Sequence, residues 1–140
     1  VAMLRIGIVL GKGGGALEKM VPPFKMGVGG VLGTGKQWMS WIQLEDIVGL
    51  LLHGLDNVSV TGPYNGTAPN PATNADFTKT LATALHRPAM FPVPTFALKL
   101  LYGEMATVLL GSQRCVPGVA QQTGYQFRYP KLTEALEASL

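Results

Sequence analysis

The first apolar run of the chain has no polar face. Residues 3–10 read Met-Leu-Arg-Ile-Gly-Ile-Val-Leu, and Arg5 is the one charged position among them. A strand that is apolar on both faces is typical of the interior of a parallel sheet, where helices cover both sides. We therefore predict a buried strand here. Because few other strong strand candidates follow, we expect residues outside this chain to complete the sheet.

Two later segments have the spacing of amphipathic helices. Residues 44–55 carry apolar side chains every three or four positions, and Asp46 falls in the first turn, where a carboxylate suits the helix dipole. Residues 74–86 follow Thr73, which can cap a helix with Asp76 as its acidic partner, and a proline then ends the run. The stripe expected to face the core in the first helix consists of Leu44, Ile47, Val48, Leu51, Leu52 and Leu55.

The remaining segments have shorter or interrupted patterns. Pro22 and Pro23 lie inside a helical pattern over residues 16–26 and are expected to break or kink it. A further helical pattern at residues 95–110 is expected to break near Gly103. Short elements are also predicted: extended segments at 38–42 and 59–65, a helical turn at 117–124, a final strand where Tyr125, Phe127 and Tyr129 alternate, and a terminal helix at 132–140.

The composition limits the classes of partner. Hydrophobic residues make up 47% of the chain and charged residues 14%, against about 25% charged in an average soluble domain. This low charged fraction favours a surface that the rest of a longer chain, or a partner subunit, covers. The eleven Lys and Arg residues are scattered and leave a net charge of +3, so we expect no nucleic acid partner.

The sequence offers few features of a membrane protein, a disulfide-bonded protein or a metal-binding protein. The longest apolar runs fall short of the ~20 residues of a membrane span, and no signal-peptide pattern precedes the first strand. The single cysteine, Cys115, excludes an internal disulfide and a multi-cysteine metal site. His53 and His86 lack the spaced carboxylates of a metal centre. We expect a cytoplasmic or equivalent reducing compartment, no membrane contact and no metal.

Two features are candidates for ligand contacts. The loop of residues 11–15, Gly-Lys-Gly-Gly-Gly, lies between a predicted strand and a predicted helix, where backbone N–H groups attract anions. Its spacing matches neither the dinucleotide fingerprint nor the P-loop, so a mobile active-site or surface loop is the favoured interpretation. Trp38 and Trp41 follow a glycine-rich segment. They either line a pocket for an apolar or ring-shaped ligand or anchor the loop to the core, and both interpretations stay open.

Several segments, taken in order, resemble one enzyme family. Those at 5–11 (Arg-Ile-Gly-Ile-Val-Leu-Gly), 33–48 (Gly-Thr-Gly-Lys-Gln-Trp-Met-Ser-Trp-Ile-Gln-Leu-Glu-Asp-Ile-Val) and 64–69 (Tyr-Asn-Gly-Thr-Ala-Pro) resemble the extended short-chain dehydrogenase/reductase family. The tail, with Gly-Ser-Gln-Arg at 111–114 and Gly-Tyr-Gln-Phe-Arg-Tyr-Pro at 124–130, resembles its epimerase-like branch, which has a small C-terminal domain of its own. The resemblance implies an α/β fold: the C-terminal part of a Rossmann-type domain over residues 1–66, then a small, mostly helical substrate lobe over residues 67–140.

The resemblance also implies an NAD(P)-dependent epimerase or oxidoreductase whose catalytic residues are absent from this chain. The family's glycine-rich cofactor motif and its Tyr-x-x-x-Lys pair would lie upstream, and none of the four tyrosines here has a lysine four residues later. We therefore expect the chain to be inactive by itself. By the same resemblance, Arg5, Ile6, Gly7 and Ile8 are expected to contact NAD or NADP. The expected substrate-binding residues are Gly13, Gly14, Gln37, Trp38, Trp41 and Asn65.

Two positions depart from the nucleotide-sugar epimerases of that family. Met39 stands where those enzymes usually have an arginine that holds the diphosphate, and Ile8 stands where they often have an asparagine. A methionine cannot bind phosphate as a guanidinium does. The cluster of Trp38, Met39 and Trp41 therefore indicates a small substrate with little charge, and oxidation or reduction of a small carbonyl or alcohol is as well supported as epimerisation.

A protein-interaction or regulatory module is the alternative function. It would use the apolar helices of residues 95–110 as its interface, and the low charged fraction permits it. Members of the resembled branch also carry a cell-division-inhibitor label, which no residue of this chain supports. In either case we expect a homo-oligomer, or association through exposed apolar surface.

Overall fold

The computed structural model describes residues 2–27, 29–87 and 92–140. The strands are β1 (Ala2–Ile6), β2 (Ile8–Leu10), β3 (Trp38–Met39), β4 (Trp41–Gln43), β5 (Gly62–Gly66) and β6 (Ala72–Thr73). The helices are α1 (Gly15–Lys25), α2 (Leu44–Asp56), α3 (Asn74–Leu85), α4 (Thr95–Tyr102), α5 (Met105–Leu110), α6 (Gly118–Gln122) and α7 (Leu132–Ser139). The predicted α/β class is confirmed. The proline expected to end the 74–86 helix, Pro88, and the side chains of Leu98, Leu101, Met105, Val108 and Leu109 lie outside the described residues.

The first apolar run forms two strands that separate at Gly7. β1 pairs in parallel with β5, whereas β2 pairs in parallel with β4. The Gly7 N–H donates to Gly66 O at 3.1 Å, and the next N–H, of Ile8, donates to Ser40 O at 2.8 Å. A methyl group at Gly7 would overlap the Ser40 carbonyl oxygen and lie 2.9 Å from the Thr67 methyl carbon. Glycine is therefore required at the point where the chain changes its neighbouring strand.

The sheet around β1 is incomplete within the described part of the chain. β1 has β5 on one side and no described strand on the other. Met3 and Ile6 are each 57% exposed. Parallel strands are normally covered on both faces and paired on both edges. The exposed face and edge agree with the expectation that other residues complete this sheet.

Helix α2 has the predicted bounds but packs through a different face. Of the predicted stripe only Ile47 is buried, and Leu50, outside that stripe, is buried with it. The reason is that two glycines of α2 admit aromatic side chains: Tyr125 lies against Gly49, and Tyr64 lies against Gly54. The remaining members of the stripe, Leu44, Val48, Leu51, Leu52 and Leu55, are exposed by 44–82%. They form an apolar face that the described residues leave uncovered.

The two prolines of α1 do not interrupt it, contrary to the prediction. Each proline removes one helical N–H bond, and the carbonyl acceptors four residues earlier belong to Glu18 and Lys19. Both residues are exposed, so water can satisfy those carbonyl groups. The Met26 N–H still donates to Pro22 O at 3.0 Å and completes the last turn.

Residues 125–129 do not form the predicted final strand. The buried Asp46 carboxylate of α2 instead accepts hydrogen bonds from the N–H groups of Arg128 and Tyr129 and from the Tyr125 hydroxyl, each at 2.9 Å. These bonds satisfy backbone groups that a strand neighbour would otherwise satisfy. Tyr125 also makes edge contacts with the rings of His53 and Phe127. A side-chain carboxylate therefore fixes this segment where alternation predicted a sheet.

The Tyr125→Phe variant is expected to lose less stability than the wild-type protein as the pH rises into the alkaline range. Burial, and then the hydrogen bond to Asp46, raise the pKa of the Tyr125 hydroxyl well above its ordinary value of 10.0. The stabilising contribution is therefore complete below pH ~10 and declines as the pH rises, because only the unfolded chain then releases this proton. At neutral pH the variant should lose about 1 kcal/mol. Urea unfolding of both proteins between about pH 8 and pH 11 measures this. A difference in the free energy of unfolding that stayed constant over this range would contradict the prediction.

The other helices follow their sequence signals. Thr73 caps α3 by accepting the Asp76 N–H at 3.3 Å, as predicted. Gly103 separates α4 from α5 with a positive φ of 57°, and α6 and α7 occupy the predicted positions. The main buried cluster contains residues from both sides of the predicted boundary at residue 66, among them Leu10, Trp41, Phe77 and Leu136. Within the described ranges, no helix combines the length and apolar composition that crossing a membrane would require.

Candidate functional site

A cleft of about 580 Å³ opens beside the point where β1 and β2 separate. Because Gly7 leaves β5 and the chain then joins β4, the two neighbouring strands diverge and leave a gap between them. Gaps of this kind at the ends of parallel strands are where α/β proteins bind ligands. The cleft is lined by Ile6, Gly7, Ile8, Val9, Ala16, Trp38, Ser40, Thr107, Gly111, Ser112 and Gln113.

Residues 111–113 line the cleft and begin a segment, residues 111–117, that we call the strap. The strap connects α5 to α6 and has neither helical nor strand structure. At its start, the Ser112 hydroxyl accepts the Trp38 N–H at 3.0 Å. At its far end, the amide group of Asn65 donates to Val116 O at 3.1 Å, and the Thr67 hydroxyl donates to Cys115 O at 3.4 Å. The strap is therefore held across the ends of β3, β4 and β5.

Ser40 holds the middle of the strap. Its hydroxyl donates to Gln113 O at 2.5 Å and accepts the Cys115 N–H at 2.9 Å. Its own carbonyl accepts the Ile8 N–H, so one buried residue joins the strap to β2. Two hydrogen bonds through a single hydroxyl, with only 8% of the residue exposed, fix the peptide groups on either side of Arg114.

Replacing Ser40 with alanine is expected to loosen the strap and expose Cys115. The variant loses both strap bonds, which should cost about 1–2 kcal/mol. The thiol is the single one in the chain and is half-buried. Its reaction with DTNB under native conditions should accelerate at least about fivefold, since local opening controls such access. Ser59→Ala, an exposed serine away from the strap, is the matched control. Equal labelling rates in the Ser40 and Ser59 variants would contradict this role.

The structure brings four of the residues predicted from the sequence into the cleft. Ile6, Gly7, Ile8 and Trp38 all line it. Arg5 does not: its side chain is exposed, and on β1 it stands opposite Asn65 of β5. The Gly7 and Ile8 N–H groups already donate within the sheet, so a ligand amide there would be bound through carbonyl oxygens.

Trp41 and Gln37 are buried in the interior instead of lining the cleft. Trp41 is fully buried and donates its indole N–H to Asn70 O at 2.9 Å, which corresponds to the core-anchor interpretation. Gln37 is 8% exposed and donates to Leu32 O at 3.0 Å. Met39 is also buried, with the Asn74 amide group 3.5 Å from its sulfur. Of the proposed Trp38–Met39–Trp41 cluster, only Trp38 reaches the cleft, because alternate side chains of β3 and β4 point inward.

The remaining predicted residues lie elsewhere. Gly13 borders a separate groove next to Lys12, and Gly14 precedes the first residue of α1. Asn65 contacts the strap rather than the cleft. Sequence reasoning missed Ser40, Ser112 and Gln113. The Gly-Ser-Gln-Arg segment at 111–114 was a signal for two of them, since it is polar within an apolar tail.

Comparisons with known proteins find relatives that match nearly the whole of this chain. Over 138 residues it is 49% identical to "Epimerase family protein SDR39U1 homolog, chloroplastic" of Arabidopsis thaliana, covering 99% of this chain and 40% of that protein. The chain is similar to proteins named as members of the epimerase family. It matches the C-terminal part of these proteins and spans less than half the length of the curated relatives. A family model described as "Domain of unknown function (DUF1731)" matches residues 93–139.

Solved epimerase-family structures have the same fold. The human epimerase family protein SDR39U1, crystallised with NADPH, superposes with a TM-score of 0.88 at 42% identity, covering 96% of this chain and 46% of that one. A nucleoside-diphosphate sugar epimerase from Corynebacterium glutamicum gives a TM-score of 0.78 at 31% identity, over 99% of this chain and 26% of that one. The strap lies inside the segment matched by the family model, and the cleft residues 6–9 lie outside it.

Proposed function

We propose that the chain is the C-terminal, substrate-binding part of an NAD(P)-dependent oxidoreductase or epimerase, and that the cleft is its ligand site. The observation that carries this proposal is the cleft beside Gly7, at a strand divergence where α/β folds bind ligands. The human relative was crystallised with NADPH, as its name states, and is 42% identical to this chain. Its high similarity supports the same cofactor class here.

The residues of the cleft fit the nicotinamide end of such a cofactor. Ile6, Gly7 and Ile8 line one side of the cleft, and a flat ring could lie against the backbone of this segment. Carbonyl oxygens of this segment can accept from a carboxamide, since the Gly7 and Ile8 N–H groups are used in the sheet. The bound cofactor would supply hydride chemistry. The protein would orient the ring, and the strap and Trp38 would restrict water.

The substrate would occupy the part of the cleft between Trp38 and the strap. The lining residues there are neutral, and the aromatic ring offers a flat apolar surface. These features support a small substrate with little charge. We expect no turnover by this chain alone, because no tyrosine in it has a lysine four residues later to act as the acid/base pair. A reducing compartment such as the cytoplasm remains our proposed location.

Cofactor titration tests this function. The chain can be extended at its N-terminus by the corresponding residues of the Arabidopsis relative, which we call the extended chain. Calorimetry should show micromolar or tighter NADPH binding by the extended chain and at least about 100-fold weaker binding by the 140-residue chain, since most cofactor contacts would be missing. Tight NADPH binding by the 140-residue chain alone would contradict the proposal that most cofactor contacts come from residues outside this chain. No binding by the extended chain would contradict the cofactor class.

Exposed apolar side chains favour the interaction module as the second candidate. On α4, Phe96 and Leu100 are 72% and 83% exposed. The uncovered face of α2 adds further apolar surface of the kind found at protein interfaces. Light scattering as a function of concentration distinguishes the two candidates. If the extended chain is monomeric while the 140-residue chain associates, the exposed surface of α2 is a contact within a longer protein. If the extended chain still associates, α4 is the better candidate interface.

A further inference from the structure

Arg114 adds one positive charge at the edge of a cleft whose lining residues are all uncharged. Its guanidinium carbon lies 5.1 Å from the centroid of the Trp38 ring, and Trp38 lines the cleft. A guanidinium stacked on an aromatic face keeps its in-plane N–H donors available for a ligand. The arrangement therefore combines an apolar cleft with one cation beside it.

The strap fixes the position of Arg114. The carbonyl before it, of Gln113, and the N–H after it, of Cys115, both bond to the hydroxyl of the buried Ser40. The backbone of Arg114 is thus held from both sides by a residue that also lines the cleft. This placement does not depend on the arginine side chain, so that side chain is free for another role.

No carboxylate neutralises Arg114 among the residues that the structure describes. The ion pair found there joins Arg128 to Glu45 at 3.2 Å and does not involve the strap. An arginine that is held in place, stacked on an aromatic ring and left without an acidic partner is typical of anion recognition.

We propose that Arg114, stacked on Trp38, binds the carboxylate of a substrate that carries a single negative charge and an apolar or ring-shaped body. A single cation next to neutral lining residues matches a monoanion. A phosphate monoester carries ≈ −1.5 to −2 charges near neutral pH, and none of the described residues that line the cleft is a cation. The proposal rests on the proposed function in one respect, that the cleft is the substrate site.

Tryptophan fluorescence of the 140-residue chain tests the proposal. The three probes have similar shapes: benzoate, benzamide and phenyl phosphate. The chain has two tryptophans. Because Trp41 is fully buried, ligand-dependent changes in emission report on Trp38. Benzoate should bind at least about tenfold more tightly than benzamide, since charge-assisted bonds to guanidinium exceed neutral ones. Benzoate should also bind more tightly than phenyl phosphate. Equal affinities for benzoate and benzamide, or tighter binding of phenyl phosphate, would overturn the proposal.

Three substitutions assign any preference to Arg114. Arg114→Gln should abolish the advantage of benzoate over benzamide, and Arg114→Lys should keep part of it through charge alone. Arg87→Gln is the matched control: this exposed arginine lies with Lys79 and His86 at a different surface cavity. The control should keep the full preference. Loss of the preference in the Arg87 variant, or its survival in Arg114→Gln, would show that benzoate binds elsewhere.

The same data separate this proposal from the proposed function. The probe titrations use no cofactor, whereas the proposed function is tested by NADPH binding to the extended chain. If NADPH binds but benzoate has no advantage, the carboxylate assignment fails and the cofactor function stands. If benzoate is preferred but NADPH does not bind, the cleft recognises an anion and the oxidoreductase assignment fails.

Discussion

Replacing Asp46 with alanine is expected to lower the free energy of unfolding by about 3 kcal/mol or more. The carboxylate is fully buried and accepts three hydrogen bonds, from the Tyr125 hydroxyl and from the N–H groups of Arg128 and Tyr129. Its removal leaves two backbone donors without a partner in the segment that it fixes. Chemical denaturation measured at neutral pH checks the loss, and backbone hydrogen exchange should show faster exchange at Arg128 and Tyr129.

Glu45→Gln is the matched control for Asp46. Glu45 precedes it in the first turn of α2 and contacts the same segment through Arg128 at 3.2 Å. Both side chains of that ion pair are more than half exposed, so its loss should cost less than about 0.5 kcal/mol. Similar losses in the two variants would show that charge near the helix N-terminus, and not the buried hydrogen bonds, stabilises residues 125–129.

Replacing Gly7 with alanine is expected to lower the free energy of unfolding by about 3 kcal/mol and to distort the cleft. The added methyl group meets the Ser40 carbonyl oxygen and the Thr67 methyl carbon, and the carbonyl is fixed by its bond from Ile8. β2 and β4 must therefore move apart. Thermal and urea unfolding measure the stability. Loss of the Trp38 emission response to benzoate would report the change in the cleft, since that response needs an intact wall.

Gly118→Ala is the control for Gly7. Gly118 is the first residue of α6, and a methyl group there meets nothing within 4 Å. Alanine also has a higher helix propensity than glycine, so stability should stay the same or rise by up to about 1 kcal/mol. A Gly7→Ala protein as stable as this control, with an unchanged response to benzoate, would remove the steric basis for a required glycine.

Local signals predicted most of the elements. The cap formed by Thr73 and Asp76 and the periodic apolar positions of α2 are encoded within a few residues, so their bounds are readable from the sequence. The α2 face was misassigned because Gly49 and Gly54 admit Tyr125 and Tyr64, and both partners lie outside the helix. Such packing depends on tertiary contacts that periodicity does not contain.

Long-range contacts explain the other failures. The Tyr125, Phe127 and Tyr129 alternation indicated a strand, but the partner of that segment is Asp46, about eighty residues earlier in the chain. Alternation records which side chains are buried and does not identify what bonds to the backbone. The prolines of α1 remove the helical partners of the Glu18 and Lys19 carbonyl groups, and both of those residues are exposed, a fact that sequence order alone does not reveal.

The candidate site was only partly predictable for the same reason. The family resemblance named Ile6, Gly7 and Ile8 as cofactor contacts and Trp38 as a substrate contact, and all four line the cleft. It also included Trp41 and Gln37, which β4 and the preceding loop direct into the core. The strap is attached by bonds such as those of Ser40 with Gln113 and Cys115, which join residues more than seventy positions apart. No local pattern predicts that pairing.

Isoleucine methyl NMR of the extended chain tests the central claim, that the cleft beside Gly7 is the ligand site, most directly. The 140-residue part has four isoleucines. Ile6 and Ile8 line the cleft, whereas Ile42 and Ile47 lie in a separate buried cluster with Leu50 and Tyr64. On saturation with NADPH the δ1-methyl signals of Ile6 and Ile8 should shift, and those of Ile42 and Ile47 should remain in place. Shifts confined to Ile42 and Ile47, with Ile6 and Ile8 unchanged under saturation, would contradict the account.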